Sequence, residues 1–156
     1  MKKIYVLLIS ILFVFCANAQ VQKKDEIPSS AKTAFAAKFP KAQKVKWSIE
    51  KPGEYEAEFV TNRTESSAVF DGKGNFIESE TEIKSSELPQ LVKSSIEKSF
   101  AGYKLDEVEK ATDAKGVVSY EMEAVKGSDK LEISFDANGK LLKKEPLKKE
   151  DKEKKD

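Results

Sequence analysis

The chain has 156 residues, 35% of them charged and 39% hydrophobic, with a formal charge of +1 at pH 7, no histidine and a single cysteine, Cys16. An intramolecular disulfide and a histidine-activated nucleophile are therefore excluded, and the near balance of Lys and Glu offers no basic field for nucleic acid or an anionic membrane. Apolar side chains have to supply the core.

Residues 1–19 carry Lys2 and Lys3, an apolar run from Ile4 to Cys16, then Ala17-Asn18-Ala19. This is the pattern of a secretory signal peptide with cleavage after Ala19. The apolar run is too short for the roughly 20 residues of a membrane-spanning helix. A lipoprotein signal at Cys16 would want a small residue before the cysteine, and Phe15 is large. Loss of Lys2 and Lys3 takes the formal charge from +1 to −1. A periplasmic or secreted protein follows, with no membrane span after cleavage.

Ile27, Ala31, Phe35 and Phe39 recur every fourth residue, which predicts an amphipathic helix opened at Pro28, capped by Asp25 and stopped by Pro40. The period then becomes two. Val45, Trp47 and Ile49 alternate with Lys44, Lys46 and Ser48, and after Lys51-Pro52-Gly53-Glu54 the residues Tyr55, Ala57 and Phe59 alternate with Glu54, Glu56 and Glu58. Thr61 to Thr64 turns the chain into Ser66, Ala68 and Phe70, and Asp71-Gly72-Lys73-Gly74 leads to a fourth strand over 76–83.

The plan then recurs. Leu88, Val92, Ile96 and Phe100 form a second helical stripe behind Pro89, with Ser86 in the place of Asp25 and Gly102 ending it. A strand over 105–111 puts Val108 where Trp47 stood, and a turn over 112–116 follows. Tyr120, Met122 and Ala124, then Leu131, Ile133 and Phe135, then residues 140–142 complete the second series. Tyr55-Glu56-x-Glu58 returns as Tyr120-Glu121-x-Glu123, and Phe70-Asp71-x-x-Gly74 as Phe135-Asp136-x-x-Gly139. The expected fold is α+β, two tandem repeats (20–84 and 85–144), each with one helix on one face of a three- to four-stranded antiparallel meander. Residues 145–156 read as a charged, disordered tail, the collapse in composition beginning at Lys143.

Several short motifs carry a resemblance: Ile27-Pro28, Phe35-x-x-x-Phe39-Pro40, Val45-Lys46-Trp47, Tyr55-Glu56-Ala57-Glu58-Phe59 and Phe70-Asp71-x-x-Gly74. Leu88-Pro89, Gly102-Tyr103-Lys104, Glu107-Val108-Glu109 and Asp136-x-x-Gly139-Lys140 repeat them. In this order and spacing, over about 27–144, the chain resembles the PepSY-like family of exported bacterial proteins, also called β-lactamase-inhibitor-protein-like. The resemblance implies a tandem fold whose two sheets align into one longer curved sheet, and a binding or inhibitory role. It supplies no functional residues to carry over.

Glu56 and Glu58 share a strand face roughly 6–7 Å apart, near the spacing of glycosidase carboxylates, and Glu121 and Glu123 repeat them. A solvated face paired across strands with Lys44 and Lys46 accounts for them better, since no aromatic-lined pocket is evident to raise a carboxylate's pKa. The Asp71 and Asp136 loops depart from calcium-loop spacing, with Lys73 at the third position of one and Lys140 at the fifth of the other, and read as hairpin turns. Trp47 is expected in the core against Phe35 or Phe39. Val69 alternates with Ala68 and Phe70, so it should lie exposed on the helix-free face among charges.

The expected function is a non-catalytic, inhibitor-like binding module that takes a protein or peptide on its helix-free face, with no cofactor and no metal. The candidate face is Lys44, Lys46, Glu56, Glu58, Val69, Glu121 and Glu123. The alternatives are a carbohydrate-active or hydrolytic protein using the paired glutamates, and a structural envelope protein.

Overall fold

A computed structural model of the chain describes residues 26–147. The signal segment over 1–19, Cys16 and the proposed cap Asp25 lie outside the described residues. Within them the order is α1 (Ser29–Lys38), β1 (Gln43–Lys51), β2 (Glu54–Thr61), β3 (Thr64–Asp71) and β4 (Phe76–Glu82). A short 3-10 turn over Ser85–Glu87 leads to α2 (Gln90–Ser99), then β5 (Lys104–Asp113), β6 (Val118–Lys126), β7 (Asp129–Asp136) and β8 (Leu141–Pro146).

The alternating sequences do form strands, and every strand pairs antiparallel with its neighbour in the chain. The result is one eight-stranded sheet in the order β1 to β8. β4 and β5 pair from Glu78 opposite Asp113 to Glu82 opposite Glu109, so the two series share a single sheet.

Residues opposed across an antiparallel pair point to the same side of the sheet. Ala57, Ala68, Ser79, Thr112 and Val118 make one such row across β2 to β6. Ala57 and Ala68 pack in a cluster with Phe59, Phe70 and the α1 residues Ala31 and Phe35. Met122 and Ala124, on the same side of β6 as Val118, pack with Ile133, Phe135 and the α2 residues Val92 and Ile96. Both helices therefore cover one side of the sheet, and among the described residues no helix covers the other. Tyr55 lies opposite Phe70 and Tyr120 opposite Phe135.

Trp47 meets Phe35 edge-on at 5.4 Å between ring centres, as expected of a core tryptophan. The helix starts differ from expectation. Pro28 and Pro89 themselves stand at the N-cap positions with no side-chain cap, and Ser86 lies inside the 3-10 turn. A proline has no N–H to satisfy, so the start needs one fewer partner.

Two corrections concern the second series. The expected turn over 112–116 is shorter, because Thr112 and Asp113 still belong to β5. The tail expected from residue 145, with its charged run from Lys143, begins too early: β8 runs to Pro146, with Lys143, Lys144, Glu145 and Pro146 opposite Ser134, Ile133, Glu132 and Leu131. Backbone pairing and the Lys143–Glu132 ion pair at 2.7 Å hold this edge, so a polar composition did not prevent a strand there. Residues 148–156 lie outside the described residues.

Candidate functional site: a carboxylate-lined sheet face

The helix-free side is read off the same register. One row runs Lys46, Glu58, Ser67, Glu80, Ala111 and Ser119. A second runs Glu56, Val69, Glu78 and Asp113. A third runs Glu82, Glu109, Glu121, Ser134 and Lys143. The third places three glutamates side by side on adjacent strands, an arrangement that strand pairing alone disfavours.

Parts of these rows line a groove with a volume of about 760 Å³, whose walls include Lys44, Lys46, Glu56, Glu58, Glu80 and Glu109. Of the expected face residues, four meet in this groove. Glu121 lies on the same face directly beside Glu109, and Glu123 one pair further along, opposite Asp106 and Glu132. Val69 is on the expected face but not exposed: only 5% of its surface is accessible. Glu56 and Glu78 flank it across β2 and β4, in position for their hydrocarbon stems to cover it.

The lysines differ from expectation as well. Lys46 faces Glu58 in register, yet among the described residues no ion pair within 4.0 Å joins Lys44 or Lys46 to a glutamate. Lys44 sits in a β-bulge with φ 55°, which displaces it from the regular pairing. Glu107 occupies a similar bulge in β5 with φ 48° and lies at the rim of the same groove.

With no lysine in ion-pair contact with Glu56, Glu78, Glu80, Glu109 or Glu123, these carboxylates hold protons unusually well. Burial, then the neighbouring Glu109 charge, pushes Glu80 up to about 7, although the Ser67 hydroxyl donates to its Oε2 at 3.0 Å and opposes the shift. Burial, then Glu107 and Glu121, likewise pushes Glu109 up to about 7. Glu56 is raised by burial and by Glu50, against a 3.3 Å hydrogen bond donated by Ser48. Glu78 and Glu123 are also raised, each chiefly by burial. The expectation that no pocket raises a carboxylate here is thus corrected: the groove does so without aromatic walls. Glu80 and Glu109 were missed in the sequence, since their burial depends on β4 meeting β5. The readable signal was Glu78-x-Glu80-x-Glu82 and Glu107-x-Glu109 at strand period.

The turns behave as hairpin turns. Asp71 Oδ1 accepts from the backbone N–H of Lys73 and Asn75 at 2.8 and 2.9 Å, and Asp136 Oδ1 accepts from Asn138 and Lys140 at 2.9 and 3.0 Å. Asp113 Oδ1 does the same for Lys115 and Val117, both at 2.8 Å. Among the described residues no group of three or more His, Cys, Asp or Glu is arranged to hold a metal ion. No helix among them is long and apolar enough to cross a membrane. A second recess of about 540 Å³, between Pro40–Gln43 and Asn62–Arg63 at one end of the sheet, has no carboxylate in its lining.

Fold and face together define a class: two-layer α+β proteins with one sheet side under helices and the other presented bare. The sequence profile of the family described as "Putative beta-lactamase-inhibitor-like, PepSY-like" matches residues 13–77 and 53–143, and the chain belongs to that family. No curated protein matches the chain. Among solved structures it is similar to a "putative periplasmic" protein of Bacteroides eggerthii, at 20% identity and TM-score 0.72, covering 78% of this chain and 90% of that one. A DUF2874 family protein of Bacteroides uniformis follows at 21% identity and TM-score 0.70, covering 76% and 88%. A BLIP-like protein of Bacteroides fragilis has 24% identity and TM-score 0.65, covering 77% and 86%. At these identities the likeness is one of fold.

Proposed function

We propose that the chain is an exported, non-catalytic, inhibitor-like binding module that takes a protein or peptide on its helix-free sheet face. The observation that carries this reading is the one-sided architecture: two helices close one side, and the other keeps a groove lined by carboxylates. The candidate residues are Lys44, Lys46, Glu56, Glu58, Val69, Glu121 and Glu123, to which the groove adds Glu80 and Glu109. Val69 would act as floor under Glu56 and Glu78 rather than as a contact.

The module is two copies of one helix-plus-four-strand unit in this reading. Its support is the equivalent placing of Tyr55 and Tyr120, Phe70 and Phe135, and Trp47 and Val108. Export rests on the 1–19 segment and on the periplasmic description of the Bacteroides eggerthii protein. Mass spectrometry of the secreted form should find Gln20 at the N-terminus.

A hydrolytic reading deserves weighing because Glu80 and Glu109 sit at about 7. Acid–base pairs work when their surroundings push the two values apart. Here both rise together, from the same burial and like-charge repulsion, so no division into acid and base results. The test is capture of partners from a periplasmic extract by the mature chain and by a Glu56→Lys/Glu58→Lys variant. Retention of every partner by the variant would overturn the reading. Turnover of a glycoside or peptide, lost on Glu80→Gln, would overturn the non-catalytic half.

A further inference from the structure

Few carboxylates on the bare face meet a cation: among the described residues Glu54, Asp106, Glu132 and Glu145 do, at its margins, while Glu56 and Glu80 meet only serine hydroxyls. On β1 the face has Lys44, Lys46 and Glu50, on β2 Glu56 and Glu58, and on β3 Glu65 beside Ser67. β4 adds Glu78, Glu80 and Glu82, and β5 adds Glu107, Glu109 and Asp113. β6 adds Glu121 and Glu123, and β7 adds Glu132 and, at the margin opposite Val125, Lys130. β8 contributes Lys143, which pairs with Glu132 at 2.7 Å, and Glu145. From β2 to β6 the three rows described above contain no lysine or arginine; cations stand at the margins of this face, Lys104 opposite Val125 and 2.7 Å from Asp106, and Lys51 3.0 Å from Glu54. Glu82, Glu109 and Glu121 lie directly opposite one another in the third of these rows, a pairing that costs stability, and the cation of that row, Lys143, stands two strands beyond Glu121 and is paired with Glu132.

We propose that the occupant of this face is a cationic segment of another protein, its lysine or arginine side chains entering the groove over Glu56, Glu80 and Glu109. The inference rests on the binding-face reading above and adds the chemistry of the partner. Charge complementarity supports it: eight glutamates line the groove against two lysines, Lys44 and Lys46, while the chain as a whole has a formal charge of only +1. The carboxylates are therefore concentrated here against lysines elsewhere, and a field focused in a groove selects a cation.

A consequence separates this docking from general attraction. Glu80 and Glu109 hold protons up to about 7, and a cation placed between them favours the ionised form. Binding thus expels protons, and affinity rises with pH through neutrality.

The test uses the mature chain and a fluorescent hexa-arginine peptide, with hexaglutamate and a Gly/Ser peptide as controls, at about physiological salt. Between about pH 6 and about pH 8 hexa-arginine should tighten roughly tenfold and release protons, seen as a binding enthalpy that depends on the buffer. Glu80→Gln/Glu109→Gln should weaken binding roughly tenfold at the higher pH and flatten the pH dependence. It relieves repulsion, so it should stay folded. Glu26→Gln/Glu97→Gln, two exposed carboxylates off this face, should leave both unchanged. Equal loss in the two variants, or no pH dependence, would overturn the proposal. So would self-association of the chain alone that Glu56→Lys/Glu58→Lys dissolves, since a second copy would then be the occupant. If hexa-arginine fails to bind while that lysine variant still loses its natural partner, the cationic chemistry falls and the binding face stands. If every partner survives in that variant, the face itself falls.

Discussion

Gly74 and Gly139 close the Asp71 and Asp136 turns with φ of 88° and 79°, and each lies against a helix. A Cβ at Gly139 would stand 2.5 Å from the carbonyl oxygen of Leu91, and one at Gly74 would stand 2.8 Å from that of Ser30. Ser30 and Ser95 tie the same contacts by donating their hydroxyls to the carbonyls of Gly72 and Gly139, each at 2.7 Å. Turn and helix are thus locked together by backbone approach, which only a glycine permits. Gly139→Ala should cost about 2–4 kcal/mol in urea unfolding. Gly53→Ala, with a similar φ but open space around it, should cost only about 1 kcal/mol. Equal losses would mean that backbone strain, and not the close approach, sets the requirement.

At the scale of elements, α1 depends on its packing. Ten residues are too few for a helix to hold by itself in water, and α1 has no side-chain cap at its start. Phe35 compensates by meeting Phe39, Trp47, Phe59 and Phe70, with ring centres 5.1 to 6.2 Å away. Phe35→Ala should destabilise the protein by about 3–5 kcal/mol. Leu91→Ala on α2, where Leu91 is 56% exposed, should change it by less than about 0.5 kcal/mol. Chemical denaturation of the pair measures both. The outer strands are protected by local means: β1 has the Lys44 bulge and Lys46, and β8 ends at Pro146.

For the whole molecule, the helix-free face also sets the response to pH. Glu80 and Glu109 hold protons in the fold up to about 7, while in the unfolded chain they lose them near the ordinary glutamate value of 4.5. Their folded values are raised, so the fold is favoured below the unfolded value and loses stability as pH climbs to about 7, after which it levels. Asp71 acts in the opposite sense: its hydrogen bonds from Asn75 and Lys73 lower its value, and its contribution is lost only in acid. Melting should therefore occur at a higher temperature near pH 5 than near pH 8. Glu109→Gln should raise the melting temperature near pH 8 by about 2–6 °C and shrink that difference. A melting temperature that rises with pH over this interval would contradict the carboxylate arrangement.

Much of this was readable from local pattern. Periods of four and two placed both helices and six of the strands, because one buried stripe or side per element must recur at the backbone's own repeat; β4 was placed by the turn before it, and β8 only as residues 140–142. Asp-x-x-Gly placed two of the turns, and the same letters at Asp113 to Gly116 were available for a third. The register of Glu56 and Glu58 on one face followed from alternation alone. Other features depended on which strands become neighbours. Val69 is buried because Glu56 and Glu78 flank it from two strands, and Glu80 and Glu109 are perturbed because β4 pairs with β5. Alternation assigns a side chain to a side of its strand; only the assembled sheet decides what stands beside it, and therefore whether a glutamate there meets water, a lysine or another glutamate.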